Sequence, residues 1–235
     1  RSGNATAAIP SIEFKSDNYN VTQFYACAIH PTAYTNYFLA GAQDNGSHQY
    51  NNGGINATVE VTGGDGCFTH IDQNEPQYQF TSYVYNNFYR STNGGATFAG
   101  VNTTGGSFVN PSDYDNSANI LYAYSSSGTY VRWTNATSGA TFQTVALSAG
   151  LTGTITAITV SPNTANRVFM GVGSGKVVRV DNANTVASGS AGVQINNGAG
   201  MPTGSISCIE VETGNDNHII VTYFNYGVNS VWETT

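Results

Sequence analysis

The sequence predicts an all-β chain assembled from repeated four-stranded antiparallel units, and three observations carry that expectation. No segment holds a convincing helical apolar period, so amphipathic helices are not expected. Short runs rich in Val, Ile, Thr, Tyr and Phe are separated by clusters of Gly, Asn, Asp and Ser, the pattern of strands and turns. Related pieces also recur. Ile158-Thr159-Val160-Ser161-Pro162 and then 167–172 parallel Ile209-Glu210-Val211 and then 218–223, and also Cys27-Ala28-Ile29-His30-Pro31 and then 37–42. A period near forty residues is that of β-propeller blades, and a chain of 235 residues holds about five of them. Turns at about every 8–12 residues also suit a β-sandwich, which is the structural alternative.

Taken in order, residues 1–10 carry no pattern and read as a leader, and 11–235 read as a single propeller domain. Ser11-Ile12-Glu13-Phe14-Lys15 alternates like a lone strand. The first blade spans 22–62, with strands at 23–30, 37–42, 48–56 (weak) and 57–61. The second spans 63–105, with strands at 67–72, 78–85, 88–92 and 97–101. The third, 106–150, has 107–109, 120–125, 129–134 and 141–147. The fourth, 151–200, has 156–160, 168–172, 177–180 and 192–195. The fifth, 201–235, shows only three, at 207–211, 218–224 and 230–234. An uncovered sheet edge leaves unpaired N–H and C=O groups. Residues 12–14 are therefore expected to pair with 230–234 and close a five-bladed ring. The alternative is a slice of a larger propeller continuing beyond Thr235.

Composition bounds the function. Charged residues are 9% and the net charge is −7, with seven Lys plus Arg. Neutralising phosphates needs a basic face, so nucleic acid is not an expected partner. No apolar run reaches membrane-span length, so membrane insertion is not expected. The abundance of Tyr, Asn, Thr, Ser and Gly suits a secreted or cell-surface protein, and the chain is expected to be a piece of a longer precursor. Cys27, Cys67 and Cys208 are an odd set without zinc spacing. They fall near the starts of inner strands and are expected to be buried free thiols, with one disulfide as the alternative.

The most informative stretch is Asn87-Phe88-Tyr89-Arg90-Ser91-Thr92-Asn93-Gly94-Gly95-Ala96-Thr97-Phe98. Phe88 and Tyr89 end one strand, Asn93-Gly94-Gly95 tolerates the positive φ of a tight turn, and Thr97-Phe98 begins the next. Ser91, Asn93 and Thr97 can hydrogen-bond the turn, and Phe98 can plug it from below; Phe142 is placed similarly in a longer hairpin at 135–142. Ser91-x-Asn93-x-Gly95-x-Thr97-Phe98 resembles the Asp-box (BNR-repeat) hairpin, with Asn93 in the aspartate's place. Together with Gln23-Phe24-Tyr25, Gly41-Ala42-Gln43-Asp44-Asn45-Gly46 and Gly63-Gly64-Asp65-Gly66, it resembles propeller modules of secreted bacterial glycosyl-hydrolase-like proteins. Sortilin-like propellers are more distant. The resemblance is best over 22–105 and implies that the box joins the third and fourth strands of a blade.

In such a fold the second-to-third-strand turns and the blade crossovers share the ligand-binding face. Asp44 and Asp65 then become candidate carboxylates. Glycoside hydrolysis needs a pair of them, about 5–5.5 Å apart for retention or about 6.5–9.5 Å for inversion. The plainer reading is that each caps a Gly-rich turn through nearby backbone N–H groups. No cofactor is expected, although Asp44, Asn45 and Asp65 supply the hard oxygen ligands that Ca²⁺ takes. Arg90, Arg132 and Arg179 occupy matching third-strand positions and are expected to point outward in parallel, which argues against a sialidase's converging arginines. There is no G-x-S-x-G or H-E-x-x-H, and His30, His48, His70 and His218 are scattered. Non-catalytic sugar binding asks only for aromatic faces and nearby amides. Gln43, Asn45, Tyr50, Tyr85, Asn86, Asn87, Asn225 and Tyr226 are the candidates. The leading expectation is an interaction module binding glycan or a surface protein. The alternative is a glycoside hydrolase using Asp44 and Asp65.

Overall fold

A computed structural model describes residues 22–33, 35–54 and 56–234. Among them there is no helix, and the strands form five antiparallel sheets. The first holds β1 (Ala26–Ile29), β2 (Phe38–Ala42), β3 (Gly46–Tyr50) and β4 (Val59–Thr62). The second holds β5 (Thr69–Ile71), β6 (Gln79–Ser82), β7 (Asn87–Ser91) and β8 (Ala99–Asn102). The third holds β9 (Ser112–Asp115), β10 (Ile120–Ser126), β11 (Thr129–Thr134) and β12 (Thr141–Ala146). The fourth holds β13 (Ile155–Val160), β14 (Val168–Val172), β15 (Lys176–Val180) and β16 (Val193–Gln194). The fifth holds β17 (Ile206–Glu212), β18 (Asn215–Tyr223) and β19 (Val231–Glu233). Strands follow one another in simple up-and-down order within every sheet. The sheets are blades of a β-propeller, and five of them are present.

Apolar clusters join consecutive sheets. Phe80, Phe88, Leu121 and Trp133 lie between the second and third. Tyr122, Tyr130, Met170 and Val178 lie between the third and fourth. Phe169, Ile206, Ile209 and Val221 lie between the fourth and fifth. Gly41 marks the closest approach of the first sheet to the second: a Cβ there would sit 2.0 Å from the Cys67 carbonyl oxygen. Only a residue without a side chain fits at that contact.

First-strand ends repeat one device. Asp72 and Asp115 accept backbone N–H bonds from the residues two and three positions on, and the Ser161 hydroxyl does the same. These are side-chain turns that stop the strand and reverse the chain. Asn119 and Asn166 then hold positive φ of 56° and 58° just before the second strands, a region Asn tolerates better than most residues.

A second repeated device runs between sheets and corrects an expectation. Arg90 donates to the carbonyls of Ala136 and Gly139, at 3.0 and 2.7 Å, in the hairpin of the following sheet. Arg132 donates likewise to Ala183 and Val186, at 2.9 and 3.2 Å. Gln49 reaches the Gly95 carbonyl of the second sheet at 3.3 Å. The arginines therefore do not radiate into solvent: Arg132 is only 8% exposed. Their matching positions serve to satisfy hairpin carbonyls of the next sheet that would otherwise lack donors. Arg179 departs from the series and binds Asp181 in its own sheet at 3.1 Å.

The cysteines are also corrected. All three are free, but only Cys67 is buried, whereas Cys27 and Cys208 are exposed. Both exposed thiols sit on first strands, Cys27 on β1 and Cys208 on β17, and Cys27 lines an inner concavity with His70 and Asp113. Phe98 and Phe142 are half-buried, with Phe142 stacked near Trp133 at 5.2 Å. The expected pairing of residues 12–14 with 230–234 lies outside the described residues. Among those described, no hydrogen bond or ion pair joins the first sheet to the fifth.

Candidate functional site

The turn between β2 and β3 and the crossover from β4 to β5 meet on one rim. Gly46 N–H donates to the Gly64 carbonyl at 2.7 Å, and Gly66 N–H donates to Ala42 at 2.9 Å. Asp44 holds a left-handed backbone (φ 61°) at the tip of the turn. Its N–H donates to Asp65 Oδ1 at 3.0 Å. Asp44 and Asp65 are thus brought together, and one of the two carboxylates ties the crossover to the turn. That bond spans 21 positions in the chain, whereas the expected turn caps would draw on N–H groups only a few positions away. The intervening strands fold these segments back to back.

Beside them lies a concavity of about 460 Å³ lined by Thr22, Gln23, Tyr25, Gln43, Asp44 and Asn45. The Tyr25 hydroxyl donates to Gln43 Oε1, and the ring remains 44% exposed. Asn45 Nδ2 donates to the Gln43 carbonyl at 2.9 Å, which shapes the turn. The lining therefore offers an aromatic face, two glutamines, an asparagine and an exposed carboxylate. Neutral polar groups of this kind exchange hydrogen bonds with hydroxyls, and an aromatic ring packs against C–H faces. Among the described residues, no group of three His, Cys, Asp or Glu side chains is placed to hold a metal ion.

The remaining candidates scatter. Tyr85 lies in the β6–β7 turn, 48% exposed, edge-on to Phe108. Tyr226 lies fully exposed in the β18–β19 turn together with Asn225, whose Oδ1 accepts Ser205 N–H at 2.7 Å. Both turns belong to other sheets, so neither side chain lines the concavity. Asn87 begins β7 and bonds back to the Val84 carbonyl at 2.8 Å. Tyr50 is corrected: it ends β3, at the opposite end of that strand from the Asp44 turn, with its ring stacked on Phe38 and its hydroxyl on the Gly54 carbonyl. Asn86 is corrected as well. It is fully buried, bonded to Asn110, Thr104 and Tyr124, and secures the second sheet to the third.

At the hairpin of the second sheet, Ser91 Oγ accepts the Gly95 N–H at 2.9 Å. Asn93 Oδ1 accepts the Thr97 N–H at 3.0 Å, and Asn93 Nδ2 donates to Thr97 Oγ1 at 3.0 Å. These bonds stay within the turn.

One further group was not legible in the sequence. A smaller concavity of about 180 Å³ on the inner strands is lined by Cys27, His70, Gln73, Asp113 and Asn116, among others. Burial pushes Asp113 up to about 6, against the N–H bonds from Val160 and Tyr114 that favour its charge. Burial also holds His70 down to about 4. Their nearest approach is 3.9 Å, too long for a hydrogen bond. Asp113 ties the third sheet to Val160 of the fourth at 2.7 Å, and His70 bonds Ser112 at 2.9 Å.

No protein-family model and no curated protein sequence matches the chain. Solved structures do. Raptor from Chaetomium thermophilum aligns with TM-score 0.62 and 12% identity over 92% of this chain and 21% of that one. YCF48 from Cyanidioschyzon merolae aligns with TM-score 0.60 and 15% identity over 84% of this chain and 63% of that one. This chain thus spans about a fifth of the first and somewhat under two thirds of the second. Likeness at such identities carries the fold alone.

Proposed function

We propose that the chain is an extracellular interaction module that binds a glycan, without cleaving it, on the rim formed by the β2–β3 turn and the following crossover. The observation that carries this reading is the lining of the 460 Å³ concavity: Tyr25 half-open beside Gln23, Gln43, Asp44 and Asn45. Hydroxyl-rich ligands are recognised by a ring face flanked by amides and a carboxylate. Asp65 is engaged in holding the turn through the Asp44 N–H, which favours a binding role over a carboxylate pair free to do acid–base chemistry. Within this reading, residues 91–98 act as an Asp-box turn in which Asn93 replaces the aspartate, a structural device remote from the ligand. The module belongs to a larger secreted or cell-surface polypeptide.

Screening the protein against immobilised glycans tests the reading. Binding is expected to one or more of them, with a loss of at least about tenfold in Tyr25→Ala and in Asp44→Ala, equivalent to about 1.4 kcal/mol. Failure to bind any glycan, or binding indifferent to both changes, overturns it. Release of reducing ends by the wild type that disappears in Asp44→Asn and Asp65→Asn would establish the hydrolase instead.

A further inference from the structure

The concavity on the inner strands brings hydrogen-bond acceptors together without donors to match. Its walls come from three consecutive sheets: Cys27 from β1, His70 from β5 with Gln73 just beyond it, and Asp113 from β9 with Asn116 just beyond it. N–H bonds hold Asp113 in place, from Tyr114 to Oδ1 at 2.8 Å and from Val160 to Oδ2 at 2.7 Å. Each oxygen keeps a further lone pair, and the side chain is 33% exposed. Burial opposes its charge, and Asp115 and Glu210 oppose it further. Among the described residues no Lys or Arg pairs with it, and none lines the concavity. His70 Nδ1, 3.9 Å from Asp113 Oδ1, makes no hydrogen bond there, because the ring meets Ser112 through Nε2. Gln73 donates its side-chain amide to the carbonyls of Ile29 and Ile71, at 3.1 and 2.9 Å. Its Oε1 is left as an acceptor with no donor among the described residues.

We propose that this concavity binds the ammonium group of a small primary amine, with Asp113, His70 Nδ1 and Gln73 Oε1 as its acceptors. An ammonium carries three N–H donors, a positive charge and no acceptor, so it answers both deficits of the site at once. Asp113 Oδ1 and His70 Nδ1 are too far apart to bond each other. Their separation suits a nitrogen about 2.8 Å from each. A positive charge there favours the ionised carboxylate, against the effect of burial. Binding selects the His70 tautomer in which Nε2–H donates to Ser112 and Nδ1 keeps its lone pair. Carboxylates and phosphates are disfavoured by the same walls, which set a carboxylate and no cation against them. Ala28 and Ile29 supply an apolar wall for a short carbon chain, and the volume of about 180 Å³ restricts the ligand to a small molecule. The concavity shares no lining residue with the one on the β2–β3 rim, and this inference is independent of the glycan reading.

Cys27 lies in the same wall with its thiol exposed, which makes it a reporter. In a Cys208→Ser background it is the one exposed thiol left, because Cys67 is buried and its thiol is pushed up to about 11. Its labelling rate is measured with cationic aminoethyl methanethiosulfonate and with anionic sulfonatoethyl methanethiosulfonate, each normalised to the rate with a small uncharged thiol. The cationic reagent is expected to be favoured at least about tenfold, and Asp113→Asn to remove most of that preference. Methylammonium chloride at about 0.1 M is expected to slow the cationic reagent at least about twofold more than sodium or tetramethylammonium chloride at equal ionic strength. Tetramethylammonium carries the charge without N–H donors, which separates a bound ammonium from a negative surface alone. Cys67 staying unlabelled certifies the fold of each variant. Equal slowing by the three salts overturns the proposal, whatever Asp113→Asn does. So does a wild type without preference for the cationic reagent, the outcome for a concavity that holds only water.

Discussion

The second strands of the fourth and fifth sheets read alike in sequence and are buried differently. Val168-Phe169-Met170-Gly171-Val172 is buried at every position. In β18, Ile219, Val221 and Tyr223 are buried, while Ile220 between them is 40% exposed. A sheet covered on both faces needs a continuous apolar run, and one covered on a single face needs only every second residue. The fourth sheet has neighbours on both sides, since its residues enter clusters with the third and with the fifth. Among the described residues the fifth packs only on the fourth. Ile220 therefore lies on a face of the fifth sheet that no described residue covers.

The sharpest way to break this contrast is to empty one position of each kind. Trp133 is fully buried and donates its indole N–H to the Gly139 carbonyl at 3.0 Å. Trp133→Ala is expected to cost about 3–5 kcal/mol in urea denaturation, from lost burial and the cavity left behind. Ile220→Ala is expected to cost less than about 1 kcal/mol, because its face already meets solvent. Comparable losses at the two sites would show that the sheets are not differently covered.

A smaller effect separates hairpin chemistry from sheet packing. Asn93→Ala removes the acceptor for the Thr97 N–H and the donor to its hydroxyl, and is expected to cost about 1–2 kcal/mol. Asn93→Asp keeps the acceptor, and the Thr97 hydroxyl can rotate to donate to it. That change is expected to stay within about 0.5 kcal/mol of wild type. A large loss in Asn93→Asp would mean that the amide nitrogen, not the oxygen, holds the turn.

The smallest effect lies on β18 itself, where two residues give opposite pH dependences. Burial opposes ionisation of Asp216, but bonds from Ser161, Thr164, Asn163 and Arg167 outweigh it and bring the group down to about 2. An acid whose folded pKa is depressed contributes stability above its unfolded value that is lost as pH falls. The loss is expected between about 4 and 2 and should be absent in Asp216→Asn. His218 is raised above its ordinary value by Glu233 and Glu212, at 2.7 and 2.9 Å. Its contribution is complete below about 6.5 and disappears as pH rises through the raised value. The pair is exposed, so His218→Gln should change the alkaline limb only slightly.

Much of the strand pattern was legible because turn residues punctuate it. The run at 168–172 was read directly, and β7 and β11 fall within a residue or two of where alternation and turn chemistry placed them. Neighbours across sheets were not legible. Matching positions of Arg90 and Arg132 show that they are equivalent but not which face the next hairpin covers, so the outward reading failed. Tyr50 was assigned to the wrong rim because it falls within the polar stretch 48–56, which was read as a loop or weak strand reaching the binding face, whereas it ends β3. The meeting of Asp113 with His70 links positions 43 apart, and no local pattern encodes it. Cys27 and Cys208 look like core residues because inner strands usually are, yet both are exposed, Cys27 to the concavity it shares with His70 and Asp113.

The central structural claim is that each of the first three sheets is clamped to the next by a third-strand donor reaching the following hairpin, and that this relay stops at the fourth sheet, whose Arg179 binds Asp181 instead. Paired denaturation of Arg132→Met and Arg179→Met tests it most directly. Arg132→Met strands the buried carbonyls of Ala183 and Val186 and is expected to cost about 2–4 kcal/mol. Arg179 is 34% exposed and bound only within its own sheet, so Arg179→Met is expected to cost no more than about 0.5–1 kcal/mol. Equal losses, or a silent Arg132→Met, would contradict the relay.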